Sequence, residues 1–331
     1  MIRRRDAAVA PAAGGSGDRV STPSPTICSL LPSATEIVFA LGLGDRLAAV
    51  THECDFPPEA ALLPVITRST LDSHEPHSSR EIHTHITAAL HGGGSSIYLL
   101  DQELLHRLAP DLILTQELCD VCAVSYETVQ QAVRRLNGHA MILSLEPTTL
   151  LGIFDTIRQV GEATGTGARA ASLARELEEQ ADAIEAQMGT ASGRPRVFAM
   201  EWLDPPFTAG HWVPELIRRA GGRDELAREG YPSPQIPWRR IAEYDPEVIV
   251  LMPCGFTLNR TLEEFGHVAL PEEWSGLRAV RSGHVYAVNG SAYFNRPGPR
   301  ILTGLQILAE IIHPELFRRT TRPEAWQRLG E

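Results

Sequence analysis

Between Gly167 and Met188 the apolar positions Leu173, Leu177, Ala181, Ile184 and Met188 recur at helical spacing, while Arg175, Glu178, Glu179, Asp182 and Glu185 take the other faces. The period predicts an amphipathic helix with no interior proline. At about 1.5 Å per residue it runs roughly 33 Å, longer than the usual crossover helix of an α/β unit. A strut between two halves of the chain is the expectation.

Shorter apolar runs on either side alternate with helical periods. In the first half, strands are expected at Thr26–Leu31, Arg46–Thr51, Ser96–Leu99, Leu112–Thr115 and Ala140–Leu143. Helices fall at Ala34–Leu43, with Ser33 as its cap, Arg80–Leu90, Asp101–Leu108 and Tyr126–Leu136. Beyond the strut, Arg196–Met200, Glu247–Met252 and His284–Val288 read as strands, and Val213–Ala220, Leu258–Phe265 and Pro299–Ile312 as helices. Such a βα alternation builds mostly parallel sheets. The expected architecture is α/β: a disordered leader (1–25), an N-terminal lobe (26–150), a helical connection (151–189) that includes the long helix 167–188, a C-terminal lobe (190–320) and a tail (321–331).

Charge narrows the function. Thirty basic residues against forty-one acidic ones leave a formal charge of -11, which argues against nucleic acid and anionic lipid as partners and favours a small-molecule ligand. Residues 1–25 contain no apolar core of the kind that begins a secretory signal, so a cytoplasmic location is expected. In a reducing cytosol the five cysteines would serve as metal ligands, redox groups or packed thiols in preference to disulfides.

Ligands of open parallel sheets sit beyond the carboxyl ends of strands. Cys54, Cys119, Cys122 and Cys254 all follow predicted strands, whereas Cys28 lies inside one and reads as a core thiol. Four thiols with His52, Glu53, Glu201 and His211 nearby suit zinc or an iron-sulfur cluster, or a metal carried by a cofactor. A redox pair at Cys119 and Cys122 and inert loop thiols are the alternatives. His74, His77, His83, His85 and His91 are expected on solvent-facing surface. In "RPGPR", Arg296 and Arg300 flank a turn at a helix start, a suitable place for an anionic or amide group of a ligand. Trp202, Trp212, Tyr293 and Phe294 offer flat apolar area. Phosphate-loop, dinucleotide, serine-hydrolase and zincin motifs are missing, so a binding protein is expected more than an enzyme.

The segments "LLPSATEIVFALGLGDRLAAVT", "LAPDLILT", "VFAMEWLDPPFTAGHWVPELIRRAGG" and "YFNRPGPRILTGLQIL" resemble the helical-backbone substrate-binding proteins of iron-siderophore and cobalamin importers, over about residues 26–318. The cobalamin-binding branch is the most similar, in a form without an export signal. The resemblance implies two Rossmann-like lobes, one connecting helix, and a cobalamin or related corrinoid held between the lobes. On it, the ligand-contacting positions would be His52, Glu53, Gln116, Glu201, Trp202, His211, Tyr293, Asn295, Arg296 and Arg300, with Cys54, Cys119, Cys122 and Cys254 as metal ligands. Thiols stand where the exported receptor has aromatic rings, and Asn295 stands where an acidic residue would dock an ABC permease, which argues against permease docking; a cytosolic metal or iron-sulfur protein or enzyme using the cleft cysteines, and the substrate-binding component of an ABC importer, are the alternative functions. The oligomeric state is not set by any of these residues.

Overall fold

Uninterrupted apolar runs become strands covered on both faces. "LILT" (Leu112–Thr115) and "VIVL" (Val248–Leu251) are buried at every position, as the middle strands of sheets with helices on each side must be. The computed structural model describes residues 25–70, 77–91, 98–117, 126–135 and 140–330. Residues 1–24 of the expected leader, His74, Cys119 and Cys122 lie outside the described residues, as does the side chain of His91.

The strands are β1 (Ile27–Ser29), β2 (Leu47–Ala49), β3 (Thr67–Ser69), β4 (Tyr98–Leu100), β5 (Leu112–Thr115), β6 (Met141–Ser144), β7 (Val197–Trp202), β8 (Phe207–Thr208), β9 (Val248–Leu251), β10 (Val285–Val288) and β11 (Trp326–Arg328). The first sheet, β2-β1-β5-β6, is parallel throughout, with Ile27 opposite Leu112 and Leu112 opposite Met141. The second, β11-β10-β9-β7-β8, is parallel at its centre with an antiparallel strand on each edge. Two α/β lobes with mostly parallel sheets are thus the observed fold. Tyr98–Leu100 departs from the expectation of a core strand: it pairs antiparallel with β3 in a separate ribbon.

Helices α1 (Pro32–Ala40), α2 (Ser79–His91), α3 (Gln102–Leu108), α4 (Tyr126–Arg135), α5 (Leu150–Ala163), α6 (Gly167–Gln187), α7 (Val213–Arg219), α8 (Trp238–Tyr244) and α9 (Leu258–His267) follow, and Ile301–Ile312 closes the second lobe. Ser33 is not the cap of α1. Pro32 opens the helix, since its missing N–H costs nothing there, and Ser33 falls within the first turn.

The long helix comes with a partner. The turn Thr164–Thr166, with Gly165 at φ +72°, folds α5 back along α6. A Cβ at Gly161 would come within 2.2 Å of that of Ala170, so the glycine sets how closely the two helices approach. Ala170, Ala174, Leu177, Ala181 and Ile184 form the buried stripe of α6, which packs on α5 and on Ile301–Ile312. One apolar core consequently runs from Ile27 and Leu112 through α6 to Val197 and Ile301. Lobes that share a packed core resist hinging, because opening them would expose that core to water.

Candidate functional site

In each sheet the strand order reverses where the chain leaves one side and continues on the other, between β1 and β5 and between β7 and β9. The carboxyl ends at these switch points are where an α/β sheet leaves a crevice. Here the two crevices face each other. They enclose a cleft of about 290 Å³ lined by Leu30, Leu31 and Gln116 from the first sheet's strand ends and by Trp202, Cys254 and Phe256 from the second's.

His52 and Glu53 follow β2 on the first wall. His52 Nδ1 lies 2.8 Å from Thr67 Oγ1, and its ring centroid 5.2 Å from that of Tyr98, so the β3–β4 ribbon fixes the imidazole from both sides. Ile82 and Ile86 of α2 close over the cleft. On the second wall the Trp202 and Phe256 rings meet edge to face at 5.4 Å, and Trp202 Nε1 donates to the Ser79 carbonyl at 3.0 Å. Asn295 Oδ1 is buried and has no hydrogen-bond partner, as is Thr115 Oγ1 at the end of β5.

The two arginines of "RPGPR" join the lobes. Arg300 donates Nε and Nη2 to the Glu36 carboxylate at 2.9 and 2.5 Å. Arg296 makes a short bond to the Asp55 carboxylate and donates to the Glu53 carbonyl at 3.0 Å, with Glu36 at 3.7 Å. Burial pushes the Glu36 carboxyl up, and the bonds from Arg300 and the Arg296 charge pull it back. Across the cleft, Glu264 accepts from the backbone N–H and hydroxyl of Ser79 at 2.7 and 2.6 Å. Arg80 forms a two-pronged pair with Asp204 at 2.8 and 2.7 Å. The first turn of α2, a part of the first lobe by connectivity, is bonded to the second.

Of the residues expected to touch a ligand, His52, Glu53, Gln116, Trp202, Asn295 and Arg296 line the cleft, and Glu201, His211, Tyr293 and Arg300 do not. Glu201 Oε2 accepts from the Ser233 hydroxyl and the Gly210 N–H, and burial raises its pKa. His211 has φ +51° and donates its backbone N–H to Tyr231; burial depresses its imidazole pKa. Both hold the loop behind β7. Cys254 lines the cleft, whereas Cys54 is buried behind the wall, its sulfur 3.1 Å from the hydroxyls of Thr35 and Thr51, with burial pushing the thiol up. Among the described residues no group of three or more His, Cys, Asp or Glu side chains is placed to hold a metal ion. Thr67, Tyr98, Ile82, Ile86 and Phe256 were not expected on the wall. Phe256 alone carried a legible signal, as it follows a strand end two residues after Cys254.

Residues 27–292 match the family model described as periplasmic binding protein. A vitamin B12-binding protein of Vibrio parahaemolyticus is 26% identical over 301 residues, covering 90% of this chain and 92% of its own length. An ABC transporter substrate-binding lipoprotein of Bacillus subtilis, YvrC, is 24% identical over 299 residues, covering 88% and 81%. The periplasmic vitamin B12 binding protein BtuF of Vibrio cholerae superposes with a TM-score of 0.63 at 23% identity, over 89% of this chain and 99% of its own. The periplasmic heme-binding protein RhuT of Roseiflexus sp. RS-1 does so with 0.66 at 22%, over 89% and 100%.

Periplasmic proteins and a lipoprotein as relatives point to an exported protein and overturn the cytoplasmic expectation. That expectation rested on the composition of the first residues alone. With paired sheets, facing switch points and a family match over 27–292, the chain belongs to the periplasmic binding protein family.

Proposed function

We propose that this protein is the substrate-binding component of an ABC importer and that its substrate is a corrinoid. The observation that carries the substrate class is the charge of the cleft. Among the described residues of the wall the one cationic side chain is Arg296, and its guanidinium is already held by Asp55 and the Glu53 carbonyl. A haem with its propionates, or an anionic ferric chelate, would meet Glu53 without a free countercharge, and burying an unpaired carboxylate is costly. A corrinoid carries neutral carboxamides around a broad apolar ring. Its amide groups suit the polar Gln116 and Asn295 side chains of the wall, and its ring suits Trp202, Phe256 and Tyr98.

The relatives named for vitamin B12 support the same choice, although others are named for heme. Since about 290 Å³ is at the small end of ligand sites, the ring enters edge first, its faces toward the two walls and the rest of the corrinoid projecting from the cleft. The test is a titration of the purified protein with cyanocobalamin and, separately, hemin, followed by Trp fluorescence and calorimetry. Cobalamin is expected to bind at least about tenfold more tightly, a difference of about 1.4 kcal/mol. Tighter hemin binding, or binding of neither cobalamin nor cobinamide, overturns the substrate class.

A further inference from the structure

Resting on the corrinoid reading, we propose that His52 is an axial ligand of the substrate's metal, so that the protein selects corrinoids whose lower axial position is open. The imidazole is held as a ligand would be. His52 is on the cleft wall, one face near Tyr98, with Nδ1 2.8 Å from Thr67 Oγ1. Metal-bound histidines characteristically tie down the nitrogen that does not bind the metal, which sets both the ring plane and the tautomer. Thr67 Oγ1 already accepts the His52 backbone N–H at 3.3 Å and has a second lone pair for Nδ1–H. In that tautomer Nε2 is a bare lone pair.

The surroundings of Nε2 fit a cationic metal centre. The half-exposed Glu53 carboxylate lies 3.6 Å from it, beyond hydrogen-bond range but close enough to favour positive charge. The opposite wall contributes apolar Trp202 and Phe256, which would cover the far side of a ring. The step is a ligand exchange: the bond from cobalt(III) to an axial water breaks, the Nε2 lone pair forms the new bond, and water leaves. Cobalt keeps its oxidation state, and no proton moves when Nδ1 holds it beforehand.

Diaquacobinamide has water at both axial positions, and dicyanocobinamide has cyanide at both, on the same ring. With the wild type, diaquacobinamide is expected to shift its visible bands on binding as imidazole replaces water, whereas dicyanocobinamide binds with an unchanged spectrum. His52→Ala should abolish the shift and weaken diaquacobinamide at least about tenfold more than it weakens dicyanocobinamide, because only the former loses a bond to the metal. Thr67→Val should keep the shift but weaken binding by about tenfold, the usual effect of losing the group behind a metal-bound histidine. Wild-type binding of diaquacobinamide without a band shift, or a shift that survives in His52→Ala, overturns the ligation and leaves the corrinoid reading standing. If neither cobinamide nor cobalamin binds, the corrinoid reading falls and the ligation with it.

Discussion

Glu36 in the first turns of α1 and Arg300 at the start of the last core helix are 264 positions apart in the chain and meet in a two-pronged ion pair across the lobe boundary. Glu36 is almost wholly buried, and the Arg300 guanidinium also lies 4.0 Å from the Phe56 ring centroid. The pair locates the lobes relative to each other beside the cleft.

Removing one member of a buried pair strands the other's charge. Arg300→Ala is therefore expected to lower unfolding free energy by about 3 kcal/mol, the low end for such losses because Arg296 remains 3.7 Å from Glu36. The double variant Glu36→Leu/Arg300→Met should recover most of that loss, since apolar replacements of similar volume relieve the desolvation of both charges. Urea unfolding of the three proteins measures it. Equal losses in the single and double variants would show that the pair matters only through its packing.

The anchoring of α2 by Glu264 has a dynamic consequence. Glu264→Ala leaves the Ser79 N–H and hydroxyl without this acceptor and Arg260 with only the more distant Glu263 carboxylate, at 3.6 Å. A hydrogen bond to a charged group contributes about 1.5–3 kcal/mol, so amide exchange in α2 is expected to quicken by roughly 10- to 100-fold. Amides of β5 and β9 should exchange as before. Unchanged exchange in α2 would mean that Arg80–Asp204 and the Trp202–Ser79 bond hold the helix without it.

What could be read from the chain was what repeats or runs. β5 and β9 are legible as continuous apolar strings, α6 by its period, and the cleft by the rule that places ligands beyond strand ends. The β3–β4 ribbon was hidden because "TRS" has neither an apolar run nor an alternation, and with it went Thr67 and Tyr98. Arg296 and Arg300 were visible as guanidiniums at a helix start. Their partners Glu36 and Asp55 were not, because only the folded chain brings distant carboxylates to them. Cys54 follows a strand as expected, yet strand ends do not reveal which way a loop side chain turns, and the hydroxyls of Thr35 and Thr51 draw it inward.

Accessibility separates two of the thiols. Cys254 lines the cleft, and Cys54 is buried and its pKa raised by burial. Only the thiolate reacts with alkylating reagents. Iodoacetamide on the native protein, mapped by peptide mass spectrometry, should modify Cys254 well before Cys54, and a bound corrinoid should slow modification of Cys254. Labelling of Cys54 at the rate of Cys254 would contradict the buried placement.

Asp224 should make stability depend on pH. Its Oδ1 accepts the N–H groups of Leu226 and Ala227 at 2.9 and 3.2 Å, but its Oδ2 is sealed from solvent without a partner, and burial pushes the carboxyl up to about 7. A carboxyl with a raised folded-state pKa binds its proton more tightly in the native protein than in the unfolded chain. Its contribution to stability is thus full below the unfolded value of 3.8 and is lost as pH rises through about 7. Glu201, also raised by burial, acts in the same direction. Asp224→Asn cannot ionise, so its stability relative to the wild type is expected to improve between pH 5 and pH 8, roughly the span of this titration. Urea midpoints at the two pH values give the answer: parallel shifts in both proteins would mean that Asp224 is already ionised at pH 5 and that its Oδ2 has found a partner in solution.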